Sequence, residues 1–271
     1  MLNRKALGLL ALAVVALALP ATALALKLRP HAKAKRSKVA RIPTSTTSTG
    51  VAEIGTLYVN SGASSHYCTA SVVDSSHGNT LITAAHCVTG SGAGMVFVPG
   101  QRGSQAPDGR WTVTAAYVDP KWLSRQDPDD DVAFLTVAPQ TIDGVSTEIQ
   151  RVTGGYRLGT TGKPGQKVTV TGYPAGSTND PITCTARIYK TSTYPAFDCR
   201  GYVGGTSGSP WLSATRHGTE IVGIIGGLNQ GGCFDYTSYS SPLGRDAETA
   251  YLRAADQAAA DVAPKPGGDG C

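Results

Sequence analysis

Three short segments of the sequence contain the side chains that catalysis by an activated hydroxyl requires. In chain order they are Thr83-Ala84-Ala85-His86-Cys87, the run from Asp129 to Leu135, and the run from Gly204 to Pro210. A histidine with a pKa near neutrality can take a proton from a hydroxyl and return it to a leaving group. A buried carboxylate can hold the imidazole in one tautomer, and glycines around a serine let two backbone N–H groups point at one spot. The order His, Asp, Ser therefore predicts a serine nucleophile with a base and an orienting acid.

Each segment also has an ordinary structural interpretation when it is taken alone. His86 could be a structural histidine, and the glycine-rich segment could be one of several Gly-Ser loops in the chain. A triple acid before an apolar strand is usually a solvated turn, so Asp129 and Asp130 are predicted to lie at the surface. Asp131 is the last acid before the strand and is the one predicted to be buried. The three segments together are a much stronger indication than any one of them.

The first 49 residues are predicted to lie outside the folded domain. Residues 1–25 have a short positive region, an uncharged apolar run and Ala-x-Ala sites, which is the pattern of a secretory signal peptide. The apolar run falls short of the roughly 20 residues that a membrane-spanning helix needs. Residues 26–49 are basic and then rich in Ser and Thr, which predicts a flexible propeptide or linker. The released product is predicted to be secreted into the extracellular space, with no membrane association after the signal is removed.

The charge distribution argues against a nucleic-acid partner. The formal net charge is +5, but nine of the 24 Lys and Arg residues lie at or before Arg41, whereas the first acid is Glu53. Residues 42–271 are left with 15 basic and 19 acidic side chains. The basic character therefore belongs to the leader, and the domain lacks the electrostatic footprint of nucleic-acid binding.

The remaining sequence predicts an all-β domain stapled by disulfides. Short β-type runs separated by Gly, Pro, Asn, Asp and Ser extend from Val51 to about Pro242, which favours a sandwich or a barrel. A helix is predicted at about 245–260, and residues 263–271 form a tail that begins to break any helix at Pro264. Six cysteines in an exported chain predict up to three disulfides. The chain has neither Cys-x-x-Cys nor His-Glu-x-x-His, so no metal site and no cofactor are predicted.

With these motifs in hand, the sequence resembles the chymotrypsin-like (trypsin-fold) serine proteases of bacterial secreted type. The resemblance is carried by TAAHC at 83–87, DVAFL at 131–135 and GTSGSP at 205–210, with a weaker likeness in IVGII at 221–225. It covers about 51–260. It implies two antiparallel six-stranded β-barrels, at about 50–145 and 146–244, followed by the C-terminal helix, in a protease domain that spans 50–262. It also implies a Cys68–Cys87 bridge.

The resemblance assigns a role to each matching residue. Ser207 would attack the peptide carbonyl, His86 would act as general base and then acid, and Asp131 would orient His86. The backbone N–H groups of Gly205 and Ser207 would hold the oxyanion. The further expected substrate-binding residues are Gly226, Gly227 and Leu228, which would pair with the substrate backbone as an added strand, and Gly201, at the base of the specificity pocket.

Two departures from the family pattern concern activation and specificity. Thr206 stands where many members have an Asp that receives a new N-terminal ammonium, so that activation switch is predicted to be absent. Gly-x-Ser-Gly-Ser-Pro resembles the glutamyl endopeptidase branch, but Ile225 stands where that branch has a histidine for the acidic side chain. Glutamate preference therefore does not follow.

The other four cysteines can be paired only by spacing. Cys184 and Cys199 flank two β-type runs that a hairpin could bring together, which leaves Cys233 and Cys271 to tie the tail to the body.

Two competing functions remain in view. An α/β-hydrolase expects Gly-x-Ser-x-Gly and the order Ser, acid, His, and both requirements are violated here. A catalytically silent, protease-like binding or adhesive module on the same scaffold is the other alternative. The prediction is a monomeric serine endopeptidase, made as a precursor zymogen, that acts on polypeptide substrates.

Overall fold

The structure is a computed structural model that describes residues 41–176 and 178–271. The predicted signal peptide and residues 26–40 of the predicted linker lie outside the described residues. None of the helices in the described part is long and apolar enough to cross a membrane.

Strands dominate the described chain. The strands are β1 (Thr46–Thr47), β2 (Ile54–Tyr58), β3 (Cys68–Val73), β4 (Thr80–Thr83), β5 (Val96–Pro99), β6 (Trp111–Val118), β7 (Ala133–Val137), β8 (Gln140–Ile142), β9 (Val145–Thr147), β10 (Arg157–Leu158), β11 (Lys167–Gly172), β12 (Ile182–Arg187), β13 (Tyr189–Thr191), β14 (Tyr194–Asp198), β15 (Pro210–Thr215), β16 (Gly218–Ile224) and β17 (Thr237–Tyr239). The α-helices are α1 (Pro120–Arg125), α2 (Ile149–Thr153) and α3 (Arg245–Ala255). Single 3-10 turns lie at Ala85–Cys87, Pro128–Asp130 and Leu228–Gly231.

The N-terminal half closes into a six-stranded antiparallel barrel. Its strand order is β2-β3-β4-β7-β6-β5, and β5 returns to pair with β2. Every residue of β2, β3, β4 and β7 is buried, because α3 packs over β6 and β7 on the outside while apolar side chains fill the interior. The predicted first barrel is therefore present, and its rigid strands end in the loops that contain His86 and Asp131.

The C-terminal half differs from the predicted second closed barrel. Within the described residues it forms an open six-stranded sheet, β1-β12-β11-β15-β16-β10, and a separate three-stranded sheet, β13-β14-β17. The two sheets part at Ile188, whose backbone bonds to Gly165 and Gln166 instead of to a neighbouring strand. The outer edge of β12 is occupied by β1, so the edge that a closing strand would use is already paired. A core around Phe197, Trp211 and Tyr202 nevertheless joins the two sheets.

The end of the predicted linker is part of this fold. Thr46 and Thr47 pair with β12, and the backbone N–H of Ser45 donates to the carbonyl of Arg200 at 2.9 Å. The backbone N–H of Arg200 donates in turn to the carbonyl of Pro43 at 2.9 Å. Composition predicted a flexible segment through residue 49, but backbone pairing needs no apolar side chains, so Ser and Thr suffice to add an edge strand.

The helices also correct the sequence prediction. α3 ends at Ala255, short of residue 260, because Gln257 takes a left-handed conformation (φ 51°) and the alanines that follow leave the helix. α1 and α2 were not predicted, although Asp119 followed by Pro120 is a recognisable start signal: the Asp119 side chain accepts from the N–H of Lys121.

The docked N-terminal segment generates a stability prediction. A chain that begins at Gly50 should unfold at lower urea than one that begins at Ile42, with a loss of about 2–3 kcal/mol, because several backbone hydrogen bonds of about 0.5–1 kcal/mol each disappear. Equal midpoints for the two chains in urea denaturation followed by tryptophan fluorescence would show that β1 contributes nothing.

Candidate active site

His86 is held in a rigid turn at the end of a barrel strand. β4 runs into the 3-10 turn Ala85–Cys87, and the Cys68–Cys87 disulfide ties that turn to the start of β3. The buried phenol of Tyr67 donates to the carbonyl of Cys87. Burial raises the pKa of Tyr67, so the phenol keeps its proton for this bond. The side chain of His86 is only 8 % exposed, and the turn that carries it is held by the disulfide and by the bond from Tyr67.

Asp131 is fully buried, and all its partners are N–H donors. Its Oδ1 accepts from the backbone N–H of His86 at 2.8 Å, and its Oδ2 lies 2.8 Å from His86 Nδ1. The N–H of Gly227 donates to Oδ2 at 2.8 Å as well. An ionised carboxylate is an acceptor only, so it selects the tautomer of His86 with hydrogen on Nδ1. The lone pair of Nε2 is then available as a base.

The loop that contains Ser207 is fixed by hydrogen bonds from both halves of the protein. The N–H of Thr69 on β3 donates to the carbonyl of Ser207 at 2.8 Å, and the Thr69 hydroxyl donates to the carbonyl of Gly205 at 3.0 Å. The N–H of Gly208 donates to the carbonyl of Ile225 at 2.7 Å. In residues 41–176 and 178–271, Ser207 Oγ makes no hydrogen bond, including none to His86 Nε2. Such bonds are often long before substrate arrives.

The same loop leaves two backbone amides unused. Gly205 adopts φ +92°, a conformation that favours glycine. Within the described part of the chain, the N–H groups of Gly205 and Ser207 donate to no protein acceptor, whereas those of Thr206 and Gly208 are both engaged. The N–H groups of Gly205 and Ser207 are the two that were predicted to form an oxyanion hole. Among the described residues, no protein acceptor competes for them.

A cleft of about 360 Å³ opens beside these groups and is lined by both His86 and Ser207. The residues that line the rest of the cleft come from the segments on either side of the three-stranded sheet and from the C-terminal tail. They are Tyr202, Val203, Gly204, Thr206, Ile225, Asn229, Gln230, Gly231, Gly232, Cys233, Phe234, Asp235, Ser238 and Asp269. Sequence reasoning missed Asn229 to Asp235 and Asp269. The signal that pointed to this region was the predicted Cys233–Cys271 pair, which the structure contains.

The four further residues predicted to bind substrate do not line this cleft. The N–H of Gly226 donates to the carbonyl of Tyr239 and that of Gly227 donates to Asp131, so neither N–H is free to donate to a substrate strand. Leu228 begins a 3-10 turn. Gly201 faces Ser45, because a side chain at that position would meet the Ser45 hydroxyl.

Asp130 is buried rather than solvated, which corrects the surface prediction for this residue, whereas Asp129 is exposed as expected. Oxygens of Asp130, Asp119 and Asp246 lie within 4.8 Å of one another. The ammonium of Lys121 lies 2.6 Å from Asp246 and 3.8 Å from Asp130, in the place that a cation would take. The other cluster of metal-ligand types in the described residues is Cys68, His86 and Cys87, whose two sulfurs are already joined in a disulfide.

The comparisons with known proteins agree with this geometry. The family profile described as "Trypsin-like peptidase domain" matches residues 68–224, which is more than half of the chain. The chain belongs to the trypsin-like peptidase family. It is therefore a serine-type endopeptidase, a hydrolase of peptide bonds. A search of curated proteins gave no significant match.

Solved bacterial serine proteases share the fold of this trypsin-like peptidase. The protease Anisep from Arthrobacter nicotinovorans is 25 % identical with a TM-score of 0.66, and the match covers 79 % of this chain and 100 % of that one. The thermostable serine protease AL20 from an extremophilic microorganism is 23 % identical with a TM-score of 0.63, covering 76 % and 97 %. A Glu endopeptidase is 18 % identical with a TM-score of 0.58, covering 78 % and 97 %. The latter two matches show the fold alone.

The glycine after Ser207 tests how tightly this trypsin-like peptidase fixes its loop. Gly208 has φ +84°, and a methyl group there would lie 2.1 Å from the carbonyl oxygen of Thr69. Gly208→Ala should lower the free energy of unfolding, measured by urea denaturation, by at least about 3 kcal/mol. The backbone strain at positive φ and the clash with Thr69 both contribute to this loss.

Gly204→Ala is the matched control, since Gly204 has an ordinary φ and nothing lies within 4 Å of the added methyl. Equal losses in the two variants would contradict a loop fixed through Gly208.

The buried Asp130 predicts a pH-dependent stability. Burial, and then repulsion from Asp119, raises the pKa of Asp130 to about 6, against an ordinary 3.8; Asp246 and Asp127 add repulsion while Lys121 opposes it. The folded state thus binds this proton more tightly than the unfolded chain. The resulting stabilisation is present below about pH 4 and lost as the pH rises through 6.

Asp130→Asn should therefore raise the Tm at pH 8, by about 2–4 °C for each kcal/mol recovered, and change it little at pH 4. Asp143→Asn, at an exposed turn, is the control and should leave the Tm unchanged at both pH values. An equal effect of Asp130→Asn on the Tm at pH 4 and pH 8 would contradict the conclusion that burial raises the pKa of Asp130.

Proposed function

We propose that this protein hydrolyses peptide bonds through a His86-Asp131-Ser207 triad and a covalent acyl-enzyme. The observation that carries the proposal is the 2.8 Å bond between Asp131 Oδ2 and His86 Nδ1, in a site whose imidazole shares one cleft with Ser207. A histidine in that tautomer has its basic nitrogen left for a serine hydroxyl.

The reaction proceeds in two halves. Ser207 Oγ attacks the carbonyl carbon while its proton passes to His86 Nε2, and Asp131 stabilises the imidazolium that forms. Collapse of the tetrahedral intermediate breaks the C–N bond, and the leaving amine takes the proton from His86. Water then attacks the acyl-enzyme with His86 as base, which releases the acid and restores the serine.

The developing oxyanion would be held by the N–H groups of Gly205 and Ser207. Because these donors already lie in a loop fixed by Thr69, little reorganisation is needed when charge develops. Each such donor contributes about 3 kcal/mol to transition-state stabilisation in enzymes of this kind.

The active loop would not depend on a new N-terminal ammonium. The hydroxyl of Thr206, which stands at the position of the family's activation Asp, donates to the carbonyl of Val203 at 2.7 Å and satisfies the loop internally. Residues 1–25 would direct export, and cleavage near Arg41 would release the basic segment while leaving the docked residues from Pro43 onward in place.

Fluorophosphonate labelling of the processed protein tests the triad. Label should appear at one equivalent on Ser207 by peptide mass spectrometry. Ser207→Ala and His86→Ala should lower peptide hydrolysis by about 10⁶-fold, and Asp131→Asn by about 10⁴-fold, because the three groups act as a unit.

Ser104→Ala and His217→Ala change an exposed residue of each matching type and should retain full activity. A folded protein that takes no label, and whose Ser207→Ala variant is indistinguishable from the parent, would favour the alternative of a silent binding module.

A further inference from the structure

The C-terminal tail reaches the candidate cleft and forms part of its wall. Cys271 is bonded to Cys233, which lines the cleft, and Asp269 lines it as well. Nothing in the family match at residues 68–224 includes this tail. The Cys233–Cys271 bridge thus holds this segment at the wall of the cleft that Ser207 also lines.

Side chains of the cleft itself hold the tail in position. Asn229 Nδ2 donates to the carbonyl of Asp269 at 3.0 Å, and Gln230 Nε2 donates to the carbonyl of Gly267 at 2.9 Å. Both Asn229 and Gln230 have positive φ (52° and 49°), a conformation that costs energy for residues other than glycine. The tail therefore bonds to the two residues whose strained backbone shapes this side of the cleft.

A second set of hydrogen bonds holds the start of the tail, at residues 265–267, outside the cleft. Gln126, just after α1, accepts from the N–H of Gly267 at 2.7 Å through Oε1 and donates to the carbonyl of Lys265 at 2.9 Å through Nε2. With the disulfide at one end and this amide pair at the other, the segment 265–271 is bound to the body at both ends.

The side of the cleft to which the tail contributes is acidic. Asp235 and Asp269 are both among the cleft residues, and no Lys or Arg from the described part of the chain lines it. Arg200 approaches Asp235 at 3.9 Å, but both groups are about half exposed, so the pair is weak. Asp269 Oδ1 accepts from the N–H of Cys271, which keeps the carboxylate on the tail segment next to the cleft.

We infer that the disulfide-tethered tail, residues 265–271, is a specificity element whose Asp269 acts with Asp235 to favour substrates with a cationic side chain, Lys or Arg, beside the scissile bond. An acidic side chain would be repelled there by two carboxylates. The inference rests on the proposed function, because the cleft must be the substrate site.

Peptide substrates that differ only in the residue before the scissile bond test the charge selection. Lys, Arg, Leu and Glu are compared by kcat/KM in the parent and in the Asp269→Asn, Asp235→Asn and Asp143→Asn variants. The Lys-to-Glu ratio should fall about 5-fold for each cleft carboxylate removed, which is the size expected of a partly solvated charge pair, and should shrink at high salt. Asp143→Asn, an exposed Asp outside the cleft, should leave the ratio unchanged.

Removal of the Cys233–Cys271 disulfide tests whether the tethered tail determines the selectivity. The Cys233→Ser/Cys271→Ser double variant should lose selectivity among the four peptides, mainly through a raised KM. Asp269→Asn retains the disulfide, so it remains informative if the double variant folds poorly. Fluorophosphonate labelling of Ser207 is measured in every variant, and Asp143→Asn, which lies outside the cleft, should label at the rate of the parent.

The outcomes separate the two proposals. Unchanged peptide selectivity in Asp269→Asn and in the untethered variant, with labelling intact, would overturn the role of the tail and leave the triad standing. Failure of the parent to label would overturn the triad, and the tail proposal with it.

Discussion

A single buried carboxylate is the constraint on which the arrangement of this candidate active site depends. Asp131 is completely removed from solvent, and an isolated charge in such a place would be strongly destabilising. It is tolerated because three N–H groups, two from His86 and one from Gly227, donate to its two oxygens. The need to satisfy that charge therefore brings the end of β4, the start of β7 and the segment after β16 to one point.

Thr69 provides the second connection, between the rigid barrel and the nucleophile loop. Its N–H and hydroxyl bond to the carbonyls of Ser207 and Gly205, while its own carbonyl accepts from the hydroxyl of Thr83, three residues before His86. One residue of β3 thus sets the position of the serine loop and of the histidine strand together. Because Thr69 and Thr83 lie in the barrel strands β3 and β4, these backbone and hydroxyl contacts position the site on the most rigid part of the fold.

The features that the sequence predicted well are local ones. The barrel strands carry their apolar residues in short bounded runs, and Asp131, placed directly before one of them, is buried as predicted. The catalytic roles of the His, Asp and Ser segments stay predictions. What the sequence could not predict depends on distant partners: the open sheet follows from β1 pairing with β12, and the burial of Asp130 follows from Asp119 and Lys121 packing over it. Cysteine spacing predicted the Cys233–Cys271 bridge of the tail, which the structure contains, but not the bonds from Asn229, Gln230 and Gln126 that place the tail along the cleft.

On these two proposals, the chemistry and the selectivity of this peptidase are built from different parts of the chain. The barrel ends in the loops that contain His86 and Asp131, and the loop between β14 and β15 contains Ser207. The cleft wall includes a strained turn and part of the segment 265–271, which would be costly to order without a covalent tie. The Cys233–Cys271 disulfide reduces that cost by confining the segment. The scaffold shared with a Glu endopeptidase is thus compatible with an acidic cleft wall, because the residues that set the charge of the cleft lie outside the elements that position the catalytic groups.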